Sequence, residues 1–229
     1  MDMKLFDLAG SDSHRRFSPY CWPIRMALAH KGLEVETIPW RFIEKDALAP
    51  TGQGKVPVLV HGDKWLYESW DIANYLENSF PDQPTLFGGP QGLALSKYYC
   101  NLAAVLSGQV SRLVLVDIYD HLTETDQPYF RESREQRFGM TLEQVVADRD
   151  SQLKPFRDSL IALRMTLKTQ DFFGGDRALY ADYALFGVFQ WARCISPFQL
   201  LAQDDPIAQW RGRLLKAFDG LAQSAPGYD

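Results

Sequence analysis

The sequence predicts a small α/β domain followed by a larger all-helical one. Three observations carry this. Over the first eighty residues, short apolar runs of strand length alternate with helical stripes. The segment "PDQPTLFGGPQG" then concentrates proline and glycine and reads as a linker. From Leu93 onward the pattern is helical nearly throughout, with no strand signal and no repeat period. The expected division is 1–80 for the α/β domain, 81–90 for the linker and 91–229 for the helical domain.

The elements follow in order. "MKLFDLAG" alternates weakly and ends in glycine, as a first strand does, and the polar loop "SDSHRRF" follows. In "SPYCWPIRMALAHKGL", Trp22, Met26, Leu28 and Ala29 fall near one helical stripe. Ser18 is a good N-cap, Pro19 suits the first helical position, and Gly32 is a natural stop. "VETIPWR" is a second strand whose Pro39 suggests an edge. Residues 42–54 are rich in turn formers. "VPVLV" and "KWLYES" form two more strands around "HGD". "SWDIANYLENSF" is an amphipathic helix opened by Ser69, with Asp71 in its first turn.

Beyond the linker, "LALSKYYCNLAAVLSGQVSRLVLVDIYDHL" is one long helix and "TLEQVVADRDSQLKPFRDSLIALRMTLK" another, with a bend expected at Pro155. "YADYALFGVFQWARC" is apolar almost all round, which places it in the middle of its domain. "DPIAQWRGRLLKAFDGLA" is the final amphipathic helix.

Composition narrows the function. The chain has 229 residues, 46% of them apolar, and a net charge of −5. No basic stripe suggests nucleic acid, and no run of eighteen apolar residues suggests a membrane span. The N-terminus lacks the charged start and apolar stretch of a signal peptide, so a cytoplasmic location is expected. Cys21, Cys100 and Cys194 are few, odd in number and widely spaced, which fits a reducing compartment better than a disulfide framework. His14, His30, His61 and His121 show no ligand spacing with Cys or acids, so no metal is expected. Aromatics at 13% suit a large core or a pocket for flat apolar ligands.

Four stretches in the right order, "SPYCWPIRMALAHKGL", "GKVPVLV", "YESWDIANYLE" and "FFGGDRALYADYALF", resemble the cytosolic glutathione transferases. Within that superfamily, "SPYCWPIRMALAHKG", "YFRESREQRFGMTLEQVVADRD" and "QDDPIAQWRGRLLKAFDGL" look most like the bacterial β-aryl-etherase type and its fungal relatives. The resemblance implies a thioredoxin-like βαβ-ββα domain, a helical bundle domain, glutathione as co-substrate and a two-fold homodimer.

It also implies roles. Ser18 stands where relatives place the residue that stabilises the glutathione thiolate, at a helix N-terminus that adds backbone donors. A free thiol ionises near 8.5, and lowering that by about two pH units takes about 2.7 kcal/mol. A plain N-cap serine explains the same residue from local sequence alone. The Val56-Pro57 bond is cis in the family, which exposes Val56 to pair with the cysteinyl backbone of glutathione like an added strand. Glu68 suits the γ-glutamyl ammonium, and Ser69 at a helix start suits its carboxylate. Lys55 is nearest for the glycyl carboxylate, with Lys31 and Arg41 as alternatives. The loop His14 to Phe17 either attracts an anionic peptide or is simply solvated.

The second substrate is expected to be a hydrophobic aromatic electrophile between the domains, walled by Tyr20, Trp22, Tyr98, Asn101, Tyr119 and Trp191. If the etherase likeness holds, a β-aryl ether is cleaved. Two other functions are kept: a glutathione-dependent thiol oxidoreductase through Cys21, and a glutathione-binding scaffold without turnover. One motif departs from the family. The buried helix usually opens with Ser or Thr three residues before its Asp, whereas Leu179 precedes Asp182 here, a loss of about 1 kcal/mol of capping.

Overall fold

A computed structural model describes residues 3–228. Four strands, β1 (Met3–Leu8), β2 (Glu36–Trp40), β3 (Val58–His61) and β4 (Lys64–Tyr67), form one sheet in the order β2-β1-β3-β4. β1 and β2 are parallel and the other two pairs antiparallel. Pro39 sits on the edge strand β2, where a missing N–H is least harmful. The helices α1 (Cys21–His30) and α2 (Ser69–Ser79) pack on each other, and Gly32 ends α1's turn at φ +64°. Residues 45–51 form a 3₁₀ turn within the irregular stretch. This is the thioredoxin-like arrangement with a mixed four-stranded sheet.

The segment after α2 is pinned rather than loose. Leu86 and Phe87 are buried. Glu77 accepts from the backbone of Leu86 and from the Thr85 hydroxyl, and pairs with Lys31 at 2.9 Å. Lys31 is 1% exposed and also donates to the carbonyls of Phe80 and Pro84.

Helix α3 (Pro90–Asp120) runs 31 residues. It is long and apolar enough to cross a membrane by length and composition, yet its buried side packs on the helix formed by Tyr180–Ile195. The helix α4 (Asp126–Phe138) follows. The stretch expected as one long helix is three: α5 (Leu142–Val146), α6 (Arg149–Ser159) and α7 (Ile161–Leu167). The breaks fall near Asp148 and at Leu160, not at Pro155, which α6 accommodates within its length. Helix α8 (Tyr180–Ile195) is buried at all sixteen positions and packs against both α3 and α1. It therefore joins the two domains into one continuous apolar core. The last helix, α9 (Pro206–Gly220), is regular only to about Lys216. Phe218 and Asp219 adopt positive φ, which turns the chain and sets Phe218 edge-on to His30 and Tyr183.

The missing cap at Leu179 is compensated. Asp182 is fully buried, and its carboxylate accepts from the backbone N–H groups of Phe173 (2.8 Å), Gly174 (2.9 Å) and Leu179 (3.0 Å) and from Trp210 Nε1 (2.8 Å). The Leu179 side chain offers no acceptor, and only its carbonyl receives the N–H groups of Asp182 and Tyr183. Asp182 thus ties the loop before α8 to α9, a larger task than a capping box.

Candidate functional site between the domains

Ser18 lies in the turn that leads into α1 and is 3% exposed. Its Oγ accepts from the backbone N–H of Tyr20 (3.2 Å) and of Cys21 (3.1 Å), and its carbonyl accepts from Trp22 N (3.2 Å). As an acceptor toward the helix, the hydroxyl is left the donor role, with the Cys21 thiol as one neighbour within hydrogen-bonding reach. Gly187 of α8 holds this turn in place. A Cβ there would lie 2.2 Å from the Pro19 carbonyl oxygen and 2.9 Å from the Pro23 ring, so only glycine lets the buried helix back directly onto the Ser18 turn.

A shallow hollow of about 280 Å³ gathers Tyr20, Gln53, Lys55, Val56, Pro57, Glu68 and Ser69. The Val56-Pro57 bond is cis. Among the described residues, the Val56 N–H and C=O enter no hydrogen bond. Glu68 takes φ +63°, a costly backbone region for a side-chain-bearing residue that occurs preferentially at ligand sites. The residue begins α2, whose first internal bond is Ile72 N–H to the Glu68 carbonyl, so the N–H groups of residues 69–71 are open. Gln53 escaped the sequence reading; its side chain donates to the Lys55 carbonyl at 2.9 Å and braces the loop.

A larger cavity of about 560 Å³ adjoins the hollow through shared Tyr20, Lys55 and Val56. Ser18 and Phe17 line its thioredoxin-like side. Trp40 and Phe42 from the end of β2, Tyr129, Phe130 and Phe138 from α4, and Trp191 from α8 supply aromatic walls. Of the expected wall residues, Tyr20 and Trp191 are present. Trp22 is fully buried, with its Nε1 on the Arg16 carbonyl and Arg25 stacked on its ring. Tyr98 is 60% exposed, Asn101 is exposed, and Tyr119 lies beneath Arg131; none of the three lines the cavity. α3 presents Ala104, Ser107, Gly108 and Ser111 to the cavity; Tyr98 lies well round the helix from these, whereas Asn101 is close in angle to Gly108 and stands nearer the start of α3 than the residues that line the cavity. Phe42 and Tyr129 carried no sequence signal of their own, and Arg134 and Arg137 only a weak one, the spacing of three in "RESREQRF" that the placement of α4 makes meaningful.

Several charges near the site are already engaged. Lys31 is held by Glu77, and Arg41 pairs with Glu44 at 3.2 Å, so neither faces the hollow. In the "HRRF" loop, Arg15 donates to the Cys194 carbonyl, and Arg16 is buried beside Asp7 at 4.0 Å with Arg25 at 3.5 Å from the same carboxylate. The loop's charge is turned inward. Burial, then the neighbouring Asp7 carboxylate, push the Cys21 thiol well above its ordinary range, although Ser18 opposes this. Cys21 is fully buried and is absent from both cavities. Among the described residues no group of three His, Cys, Asp or Glu side chains could hold a metal.

A thioredoxin-like sheet docked through α1 onto a buried central helix, with its cavity at the seam, defines a two-domain transferase-type fold. Residues 13–84 match the family described as glutathione S-transferase, N-terminal domain, and residues 94–219 match glutathione S-transferase, C-terminal domain. The chain belongs to the glutathione S-transferase family. Glutathione S-transferase 1 of Dianthus caryophyllus is 31% identical over 112 residues, which is 47% of this chain and 49% of that relative, so the match spans about half its length. Among solved structures, the glutathione S-transferase CsGST63524 of Ceriporiopsis subvermispora, in complex with glutathione, has a TM-score of 0.81 at 21% identity, covering 96% of this chain and 97% of that one. Glutaredoxin 2 of Salmonella typhimurium, also with glutathione, has a TM-score of 0.72 at 22% identity, covering 97% and 98%. At these identities the two structures speak for the fold.

Proposed function

We propose that this chain is a glutathione transferase whose Ser18 hydroxyl stabilises the glutathione thiolate for attack on an aromatic electrophile. The observation that carries this reading is the placement of the Ser18 hydroxyl: two backbone N–H groups occupy its oxygen, which leaves it the donor role, and the residue lines the cavity where that cavity adjoins the hollow. In this reading the tripeptide lies in the adjoining hollow. Val56 pairs with the cysteinyl backbone, Pro57 shapes that loop, Glu68 meets the ammonium, Ser69 and the α2 N-terminus meet the γ-glutamyl carboxylate, and Lys55 meets the glycyl carboxylate.

The step balances simply. Glutathione loses its thiol proton to solvent, the sulfur forms a C–S bond, and the leaving group departs with the electron pair of the bond it breaks. The finer reading is a β-aryl ether whose carbon is activated by a neighbouring carbonyl and whose leaving group is a phenoxide. It is supported by the segments that resemble the etherase type and by the aromatic cavity walls. The oxidoreductase alternative requires Cys21 to ionise and meet glutathione, and its burial and raised pKa argue against both.

The test is the ultraviolet thiolate band of bound glutathione at neutral pH. The band is expected in the wild-type protein and in Cys21→Ser. In Ser18→Ala it should weaken, as losing a hydrogen bond to a charged group removes about 1.5–3 kcal/mol. A band unchanged in Ser18→Ala would remove Ser18 from the mechanism. Loss of glutathione chemistry in Cys21→Ser alone would restore the oxidoreductase reading.

A further inference from the structure

Helix α4 carries Arg131, Arg134 and Arg137 three residues apart. Arg131 is neutralised by Glu135 and Glu143, each at 2.9 Å. The other two are not. Arg134 lies over the rings of Phe130 (4.7 Å) and Phe42 (5.5 Å), and NH1 donates to Ser133 Oγ at 3.0 Å. Neither Arg134 nor Arg137 has a carboxylate within 4.0 Å among the described residues. Both line the 560 Å³ cavity, whose walls hold Lys55 and these two arginines and not one acidic side chain. Burial, then the charge of Arg137, hold the Arg134 guanidinium below its ordinary range. Across the cavity, Ser107 of α3 has a buried hydroxyl with no partner among the described residues.

Unpaired arginines in a cavity of a net-acidic protein ask for an anionic ligand. The two side chains are neighbours on one helix face, and a planar carboxylate matches the guanidinium fork. The aromatic faces that hold Arg134 belong to the same wall a flat ring would stack on. We propose that the electrophile is an aromatic acid, and that Arg134 and Arg137 bind its carboxylate at the end remote from the reacting carbon. This rests on the transferase reading of the cavity, and it changes the expected substrate from a purely apolar aromatic to an anionic one.

The test compares chlorodinitrobenzene with chlorodinitrobenzoate. In both, the thiolate displaces chloride, and they differ by the carboxylate. The wild-type protein should prefer the benzoate in kcat/KM by about tenfold or more, chiefly through KM. Arg134→Gln and Arg137→Gln should each collapse that preference. Arg131→Gln, on the same helix but outside the cavity, should keep it. In parallel, calorimetry measures binding of nitrobenzoate, which does not react, and of glutathione. Arginine-dependent nitrobenzoate binding with unaltered glutathione affinity supports the proposal even if neither electrophile turns over, an outcome that would sink only the transferase reading. Equal rates for both electrophiles in the wild type, or nitrobenzoate binding indifferent to both arginines, overturns it. If Arg134→Gln unfolds, Arg137→Gln, at an exposed position, decides alone.

Discussion

Replacing Asp182 with alanine should damage this protein far more than a helix cap normally would. The side chain receives four N–H groups, from Phe173, Gly174, Leu179 and Trp210. Alanine leaves all four without an acceptor, and each orphaned buried donor costs about 1–3 kcal/mol. Against this, the fold no longer pays to desolvate a carboxylate, and burial does push the Asp182 pKa up despite the four bonds. The net loss should fall at about 3–5 kcal/mol, as for other buried polar networks broken from one side. For a chain of this length each kcal/mol moves the melting midpoint by about 2–4 °C, so a drop of about 6–20 °C is expected. Urea unfolding followed by tryptophan fluorescence gives the free energy, and Trp210 reports directly on one of the broken bonds. Asp182→Asn keeps the shape but turns one acceptor into a donor, so it should recover only part of the loss. A cost below about 1 kcal/mol for Asp182→Ala, the worth of a simple cap, would refute the argument.

The remaining predictions concern the seam and the segment that crosses it. Gly187→Ala inserts a Cβ 2.2 Å from the Pro19 carbonyl, so the Ser18 turn must move; a stability loss of about 1–3 kcal/mol should accompany a fall in kcat/KM, and unchanged kinetics would show that the turn tolerates displacement. Glu77 is burdened by burial but held below its ordinary value by Leu86 N–H, Thr85 and Lys31. A depressed carboxylate pKa stabilises the fold above its unfolded value of about 4.5 and loses that contribution as pH falls through the folded value. Glu77→Gln should therefore cost about 1–2 kcal/mol at pH 7 and nothing at strongly acidic pH, read from urea midpoints across pH. A pH-independent difference would assign the effect to packing instead.

Much of this protein is legible in its sequence. The βαβ-ββα order and the wholly buried helix α8 follow from local patterns, strand-length apolar runs and a helix apolar on every face, whereas the cis isomer at Val56-Pro57 was implied by the family resemblance and not by the X-Pro step itself. Residues 55–57 and 68–69 fall together in one hollow because each flanks a short strand whose partner is the next in sequence. Local chemistry also marked Ser18 as the acceptor at a helix start.

Tertiary structure decided the rest. The breaks near Asp148 and at Leu160 come from packing, since no strong breaker stands there and the proline that does is absorbed. Which stretch and face of α3 meet the cavity depends on how α3 sits on α8, and that placement leaves Tyr98 and Asn101 outside while small residues line the site. Lys31 looked available in sequence, and only the folded chain brings Glu77 to it across 46 residues' separation. The same holds for Arg134 and Arg137, ordinary members of a charged helix until α4 is laid beside Trp40 and Phe42. Local sequence determines what a segment is, because periodicity, caps and turn residues act over a few positions. What a side chain faces is set by long-range packing, and the cavity here is lined by side chains from both domains.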